Sequence, residues 1–187
     1  MDYLTATLLF VIITTLLLLS IQWPGLTGAP WWPTPQKKVL RMLEMANVQA
    51  DEVVYDLGCG DGRVLIAAAR RFQARSVGIE IDPLRFVLVQ ILITILGLRK
   101  RITVKLGNFF EQDLSQADIV FTYLLQNTNN KLFNKLDGEL HPGTRVVSHN
   151  YSYPGWKLID EDKTLGLYLY EVVEPDSVIA SGGEAEA

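Results

Sequence analysis

The stretch VVYDLGCGDGR, residues 53–63, joins a short apolar strand to an acid and three closely spaced glycines. Glycine allows the positive φ angles of a sharp turn, and it lets a ligand approach the backbone with no Cβ in the way. A helix predicted to begin at Gly62 would present free N–H groups and the positive end of its dipole to an anionic group. We therefore expect Asp56, Gly58 and Gly60 to contact a small-molecule ligand.

The spacing of the acids narrows the choice of ligand. The dinucleotide fingerprint is G-x-G-x-x-G, whereas the third glycine here comes one residue early, and Asp56 would repel a pyrophosphate. Glu80 ends the next predicted strand, where a carboxylate can bind both ribose hydroxyls. S-adenosylmethionine (SAM) carries an ammonium, a carboxylate and a ribose, so the pattern predicts a SAM site. A nicotinamide oxidoreductase is the weaker alternative.

Short strands and helices alternate around this stretch, which predicts an α/β domain with a parallel sheet covered on both faces. Ligands of such sheets bind beyond the carboxyl ends of the strands. Strands are predicted at residues 53–56, 76–80, 102–106, 119–123 and 145–149, and a closing hairpin at 157–159 and 165–173. Helices are predicted from Thr34-Pro35 to about Asn47, at 62–72, from Asp82-Pro83 to about Gly97, and at 129–140. The predicted domains are a connector at 23–35, a catalytic domain at 36–173 and a disordered acidic tail at 174–187.

Over roughly residues 28–173 these motifs resemble the class I, seven-β-strand SAM-dependent methyltransferases. The resemblance implies a Rossmann-like sheet of seven strands. It also implies that Asp56 and the glycine loop hold the methionine moiety and that Glu80 binds the ribose. Adenine contacts are implied for Ile81 and for Asn108, which stands where the family usually has an acid. For Phe109 beside it, stacking on adenine and packing in the core are both open.

A narrower resemblance rests on five segments: GAPWWPTP, VVYDLGCGDGR, GIEIDP, TYLLQNTN and VVSHNYSYPGW. Together they resemble the protein-lysine methyltransferases that include the mitochondrial enzymes acting on the adenine nucleotide translocator and the ATP synthase c-subunit, and their archaeal relatives. The resemblance implies methylation of a lysine ε-amine in a protein substrate, with a membrane protein as one candidate. The two alternatives are methylation of a lipophilic small molecule, such as a quinone or an isoprenoid lipid, and a catalytically silent SAM-binding module.

A methyl sulfonium is already activated, so transfer to lysine requires alignment and a neutral amine rather than many catalytic groups. A desolvated aromatic pocket promotes loss of the ammonium proton and holds a cation by π interaction. We expect Tyr123 and the 151–156 loop to form that pocket. His149 is a candidate proton relay, although a structural role for this histidine stays open, and Trp31, Trp32 and Thr34 are expected to close over the methionine end.

The N-terminal residues from Leu4 to Ile21 carry no charge. As a helix they would extend about 27 Å, close to the hydrocarbon thickness of a bilayer. We therefore predict a single-pass transmembrane anchor at residues 1–22, with a cleaved signal peptide and a buried core helix as alternatives. The nearest positive charges, Lys37, Lys38 and Arg41, lie on the C-terminal side, which predicts a catalytic domain on the cytoplasmic face.

The formal net charge of −4 belongs to the C-terminal tail. The tail contains four acids and no lysine or arginine. The formal net charge of residues 1–173 is therefore zero (−4 + 4 = 0). This balance predicts no nucleic-acid partner. The single cysteine, Cys59, excludes an internal disulfide and builds no metal site by itself, and no metal is expected.

The predicted helix PLRFVLVQILITILG, residues 83–97, is apolar nearly all round, although a helix that covers a sheet needs only one apolar face. It is too short to span a bilayer comfortably. Basic residues bracket it, with Arg85 near its start and Arg99, Lys100 and Arg101 after its end. A contact with the membrane or the anchor helix is one interpretation, and a contact between two copies of the chain is the other.

Overall fold

The computed structural model describes residues 2–27, 32–153 and 156–173. Within the first segment, the side chains of residues 16, 17 and 19–27 lie outside the description. Trp31, expected at the methionine end of the site, and the tail at 174–187, expected to be disordered, lie outside the described residues as well.

Helix α1 spans Tyr3–Thr27 and continues past residue 22, where the predicted anchor ends. The side chains described along it are mainly exposed, and they include Leu4, Leu8 and Phe10. Within the described part of the chain, no helix meets the length and hydropathy needed to cross a membrane.

The chain that follows α1 forms a seven-stranded mixed sheet with the strand order β3-β2-β1-β4-β5-β7-β6. Neighbours among the first five strands pair in parallel, and β7 pairs antiparallel with both β5 and β6, so the predicted closing hairpin is confirmed. The strands are β1 (Val53–Leu57), β2 (Arg75–Glu80), β3 (Ile102–Leu106), β4 (Ile119–Thr122), β5 (Arg145–His149), β6 (Leu158–Asp162) and β7 (Leu167–Glu171).

Helices cover both faces of this sheet, as the alternating pattern predicts. They are α2 (Gln36–Met45), α3 (Arg63–Arg71), α4 (Pro83–Ile95) and α5 (Gln126–Glu139), with a short 3₁₀ helix η1 at Phe109–Glu111. Val54 of β1 packs in the core cluster that contains α2 and α3, whereas its neighbour Tyr55 packs in the cluster that contains α5. This alternation follows from the twofold period of a strand. The chain leaves β1 first toward β2 and later toward β4, so the strand order switches direction beside β1.

Three helix starts differ from the sequence prediction, and the smallest shift is that of α3, which begins at Arg63 with Gly62 as its N-cap. Pro35 rather than Thr34 occupies the N-cap of α2, and its carbonyl accepts from the backbone N–H groups of Lys38 and Val39. Helix α5 begins at Gln126, three residues before the predicted Asn129. Leu125 at its N-cap supplies no capping side chain, so the sequence there lacks the usual start signal.

Helix α4 begins as predicted, because the Asp82 side chain accepts from the backbone N–H of Arg85 at 2.9 Å and Pro83 follows directly. This start places the end of β2 and the beginning of α4 next to the glycine turn that follows β1. The residues expected to bind the ligand therefore converge at one edge of the sheet.

Candidate active site

The turn between β1 and α3 has the backbone that its glycines predict. Gly58, Gly60 and Gly62 have φ angles of +86°, +57° and +75°. The N–H of Gly58 donates to the carbonyl of Ile79 at 2.9 Å, which fixes the turn against β2. A Cβ on Gly62 would lie 2.3 Å from Cγ2 of Val89, so only glycine fits at this contact between α3 and α4.

Two buried acids stand at this turn in different surroundings. The carboxylate of Glu80 accepts from the N–H of Gly60 at 2.8 Å and from the N–H of Asp82 at 2.9 Å. Burial, followed by the charges of Glu80 and Asp61, raises the pKa of Asp56 to about 7. A buried carboxyl with acidic neighbours is stabilised in its charged form by a cation, which the α-ammonium of SAM would supply.

A cleft opens above the carboxyl ends of β1, β2 and β4. Ten of the residues that the sequence places at the site line it, and they are Trp32, Thr34, Asp56, Gly58, Gly60, Glu80, Ile81, Asn108, Phe109 and Tyr123. His149 is not among the lining residues. The cofactor-binding set of the sequence prediction is therefore gathered at one cleft, located where doubly wound sheets bind their ligands.

The expected adenine end has a feature that the sequence did not reveal. The amide oxygen of Asn108 accepts from the N–H of Phe110 at 3.1 Å and so caps η1. An amide oxygen has two lone pairs, so one remains for a donor such as the adenine amino group. Phe109 borders the cleft and also packs against the core, with its ring centroid 4.8 Å from that of Phe110.

The opposite end of the cleft carries Tyr123, which follows β4. Its ring stacks on that of His149 with centroids 3.9 Å apart, and its hydroxyl accepts from the Asn150 side chain at 3.4 Å. Burial is the largest cause that raises the pKa of Tyr123, so its phenol stays neutral near pH 7. This end of the cleft is therefore aromatic and uncharged where it faces the ligand space.

His149 lies behind Tyr123 and is almost completely buried. Its Nε2 lies 2.8 Å from Nζ of Lys38, while its Nδ1 has no hydrogen-bond partner among the described residues. Burial, and then the charge of Lys38, lowers the pKa of His149 to about 4. The ring is therefore neutral near pH 7, and since the Lys38 ammonium donates to Nε2, the ring proton lies on Nδ1.

The aromatic loop after β5 serves the core rather than the cleft. Tyr153 and Trp156 are buried in the cluster that contains α5, and neither lines the cleft. The Tyr153 hydroxyl lies 3.2 Å from both Thr122 Oγ1 and Asn129 Oδ1, and the Trp156 indole donates to Asp137 at 2.8 Å. Buried aromatic side chains with polar atoms require such partners, and these two have theirs in the core. The expectation that the 151–156 loop forms the acceptor pocket is therefore wrong for Tyr153 and Trp156.

The sequence interpretation missed three basic residues at the site. Arg63 donates to the Asp61 carboxylate and to the Thr34 carbonyl, which ties the segment before α2 to the glycine turn. Arg85 lines the cleft from the first turn of α4. Lys38 reaches His149 from 111 residues away in the chain, a contact for which the sequence holds no local signal.

The sheet order, the glycine turn and the paired acids define a class I SAM-dependent methyltransferase. A family profile described as the ANTKMT methyltransferase domain matches residues 56–160. The chain is 45% identical over 152 residues to a protein-lysine N-methyltransferase of Saccharolobus islandicus (strain REY15A), an alignment that covers 78% of this chain and 94% of that protein. The chain therefore belongs to the ANTKMT methyltransferase family, and the resemblance noted from its motifs is confirmed.

More distant relatives agree with this assignment. The mouse adenine nucleotide translocase lysine N-methyltransferase is 24% identical over 82% of this chain and 68% of its own length. An ATP synthase c-subunit lysine N-methyltransferase of Xenopus laevis is 27% identical over 68% of this chain, which spans only 55% of that relative. These alignments support the family assignment, and in the second case they leave nearly half of the relative unmatched.

Among solved structures, the fold is shared with the crystal structure of an RNA methyltransferase from Salinibacter ruber in complex with S-adenosyl-L-homocysteine. The TM-score is 0.74 at 41% identity, over 76% of this chain and 95% of that one. The prediction of SAM as the cofactor is thereby confirmed. That Asp56 and the glycine turn hold its methionine end, and that Glu80 binds its ribose, stays a prediction of the resemblance.

Proposed function

We propose that the protein transfers methyl groups from SAM to the ε-amine of a lysine in a protein substrate. The observation that carries the proposal is the acceptor end of the cleft, where the neutral phenol of Tyr123 meets the ligand space and a buried neutral His149 supports its ring. An uncharged aromatic wall disfavours an unpaired ammonium near its surface and so favours the reactive amine. The lysine substrates named for the relatives support the same assignment.

Methyl transfer to an amine is a displacement in which the nitrogen lone pair forms the new N–C bond as the C–S bond breaks, and the electron pair passes to sulfur. Bound SAM supplies an already activated methyl group. The cleft orients the two partners and limits access of water, which is where most of the rate enhancement of such a reaction originates. Asp56 and Glu80 orient one end, and Tyr123 the other.

The ammonium proton has to leave before transfer. A histidine with a pKa near 4 is a poor acceptor for a proton from an ammonium whose pKa is near 10.4. We therefore assign His149 the role of positioning Tyr123, with Lys38 holding the imidazole in place, rather than that of a proton relay. The proton leaves to solvent when the lysine side chain enters the cleft.

RNA is the competing acceptor, because the Salinibacter ruber relative is described as an RNA methyltransferase. The formal net charge of residues 1–173 is zero, so this part of the chain lacks the strong positive balance that is typical of RNA-binding domains. The residues after β4 are Tyr123, Leu124 and Leu125, and they do not match the Asn-Pro-Pro-Tyr type of stretch associated with methylation of exocyclic base amines. We therefore favour lysine over RNA.

We also propose that the N-terminal segment anchors the enzyme in a membrane, with the catalytic domain on the cytoplasmic side and a membrane protein as substrate. The support is the uncharged run from Leu4 to Ile21 and the exposure of its described apolar side chains. The basic residues Lys37, Lys38 and Arg41 follow on the C-terminal side and agree with that orientation.

The test adds SAM labelled with tritium on its methyl group to purified full-length protein and to a membrane fraction of the source organism. An Asp56→Asn variant is the control, and protein, lipid and RNA are separated afterwards. We expect label in a protein band that is recovered as methyl-lysine and is lost with the variant. Label in lipid would replace the proposal with the lipophilic small-molecule alternative, and label in RNA would replace it with RNA methylation. SAM binding without transfer to any fraction would favour a silent binding module.

A further inference from the structure

Helix α4 exposes an apolar stripe on its outer face, which the fold leaves uncovered. Six of its side chains are between 37% and 76% exposed. They follow the helical repeat of three and four residues, and they are Leu84, Val87, Leu88, Ile91, Leu92 and Ile95. The inner face, with Arg85, Val89 and Ile93, is already buried against the domain. Helix α4 therefore has a second apolar face, which we name the outer stripe.

The other sheet-covering helices differ from α4 in this respect. The exposed positions of α2 include Lys37 and Glu44, and those of α3 include Arg70 and Arg71. A helix that only covers a sheet has a polar outer face, as these helices do. The outer stripe therefore indicates contact with an apolar partner rather than with water.

The basic residues near the outer stripe indicate which kind of partner it contacts. From Pro83 to Leu106 the chain contains five basic residues and no acid, and of these Arg85 pairs with Asp82 and Arg101 pairs with Asp51. Arg99 and Lys100 are exposed just after the helix. An apolar stripe with basic residues at its end is the surface that binds an anionic bilayer interface. A second copy of the same segment would bring positive charge toward positive charge, and RNA would leave the apolar stripe uncovered.

We propose that the outer stripe of α4 lies in the interface of an anionic lipid bilayer. This inference extends the anchoring proposed above and is independent of the identity of the methyl acceptor. Ile81 and Arg85, at the start of the helix, line the cleft. A domain that rests on this stripe therefore holds its cleft near the bilayer surface, so the accessible lysines are those just outside the hydrocarbon core of a membrane protein.

The experiment places a single environment-sensitive fluorophore on a cysteine in the full-length chain, since the native Cys59 is buried and hard to label. Ile91→Cys reports the outer stripe, and Leu8→Cys reports α1. Ile159→Cys, an exposed apolar position on the far edge strand β6, is the matched control. Each protein is reconstituted into vesicles of phosphatidylcholine with phosphatidylserine, with or without brominated acyl chains.

We expect brominated lipid to remove about half of the emission at position 91 and to leave position 159 unchanged, because an interfacial helix buries its apolar face at the acyl boundary. In a second series, Arg99→Gln with Lys100→Gln in the Ile91→Cys protein should weaken docking of the stripe to phosphatidylserine vesicles by roughly fivefold for each charge removed, which is read as lost quenching at position 91. Both results support the proposal.

Quenching at position 8 without quenching at position 91 would overturn the inference while leaving the anchor intact. Quenching at position 91 without quenching at position 8 would support the outer stripe and remove the anchor. If position 91 is unquenched and its fluorophore reports an apolar environment in a discrete dimer, the stripe is a contact between two copies of the chain and the proposal is wrong. Binding of a labelled single-stranded RNA that the Arg99→Gln, Lys100→Gln variant abolishes, with no lipid quenching at position 91, would also overturn it.

Discussion

The two ends of the cleft differ in the charge of the side chains that form them. At the cofactor end, Asp56 and Glu80 are buried acids beside a backbone turn, and the pKa of Asp56 is raised to about 7. At the acceptor end, Tyr123 and His149 are neutral rings, and the charge of Lys38 lies behind the histidine, away from the ligand space. One end is arranged to receive a positive charge, and the other is arranged to avoid one. Substitutions at the two ends should therefore separate cofactor binding from methyl transfer.

The largest effect is expected from Asp56→Asn, which removes the negative charge that meets the SAM ammonium. Loss of a charge-assisted contact in a buried site costs about 3 kcal/mol, so the Kd for SAM should rise by roughly 100-fold. Isothermal titration calorimetry measures the change. Asp160→Asn, at an exposed acid of β6, is the control and should leave the Kd unchanged. If Asp56→Asn bound SAM as tightly as the unchanged protein, the negative charge of Asp56 would not contribute to SAM binding.

The same substitution has an opposite effect on the stability of the free protein. Folding raises the pKa of Asp56, so between about pH 4 and pH 7 the native state holds a proton that the unfolded chain has lost. The stability that this proton contributes is complete below pH 4 and is lost as the pH rises to 7. At pH 8, without SAM, Asp56→Asn should therefore increase the free energy of unfolding by an amount of the order of 3 kcal/mol. Urea denaturation at pH 8 and pH 4 measures the difference, which should disappear at the lower pH.

Gly62→Ala tests the backbone of the cofactor end. The new Cβ meets Val89 at 2.3 Å and the residue keeps a positive φ, so the variant should lose about 3 kcal/mol of stability. Gly97→Ala is the matched control, since Gly97 also has a positive φ but no atom within 4 Å of the added Cβ, and it should lose only about 1 kcal/mol. Thermal melts compare the two, and in a Val89→Ala background, whose own cavity cost serves as the reference, Gly62→Ala should cost only about 1 kcal/mol. Equal losses in the two single variants would show that packing against α4 is not what requires the glycine.

Tyr123→Ala tests the acceptor end. Loss of the aromatic wall admits water and should raise the pKa of the acceptor ammonium by about one unit, so kcat should fall about tenfold while the Kd for SAM stays within about twofold. Tyr123→Phe keeps the ring and should retain most of the activity. Single-turnover rates at saturating SAM measure the chemical step. A tenfold loss of SAM affinity in the alanine variant would mean that the two ends are not separable.

The smallest effect is expected at the contact between Lys38 and His149, behind Tyr123. Burial and the Lys38 charge lower the pKa of His149, so the unfolded chain binds a proton between pH 6.5 and about pH 4 that the native state does not. Native stability is therefore lost as the pH falls through that window. Lys38→Met removes the charge and should raise the pKa of His149 by about 0.5–1 unit, because one nearby charge in a partly buried site has an effect of that order. The chain has two histidines, so nuclear magnetic resonance can follow both, with His141 as the internal control. No change in the titration of His149 would show that Lys38 does not act on it.

Most strands and most of the cofactor end were predictable because their signals are local. An apolar run ending in Asp56, a glycine turn and an Asp-Pro helix start occupy short stretches, and each specifies one backbone conformation. Helix α5 was predicted to begin late because no capping side chain marks Gln126. Tyr153 and Trp156 were placed at the acceptor pocket because an aromatic loop after a strand has no local feature that tells packing in the core from contact with a ligand.

By itself, the sequence determined the class of fold, the cofactor and the family, because residues 56–62 and Glu80 need only the pairing of two adjacent strands to come together. The tertiary structure alone decided that Lys38 lies against His149 and that the His149 ring supports Tyr123. It also decided that α4 keeps an apolar face on the outside. These features depend on which faces of distant elements meet, and that arrangement follows from the packing of the whole sheet rather than from any segment of the chain.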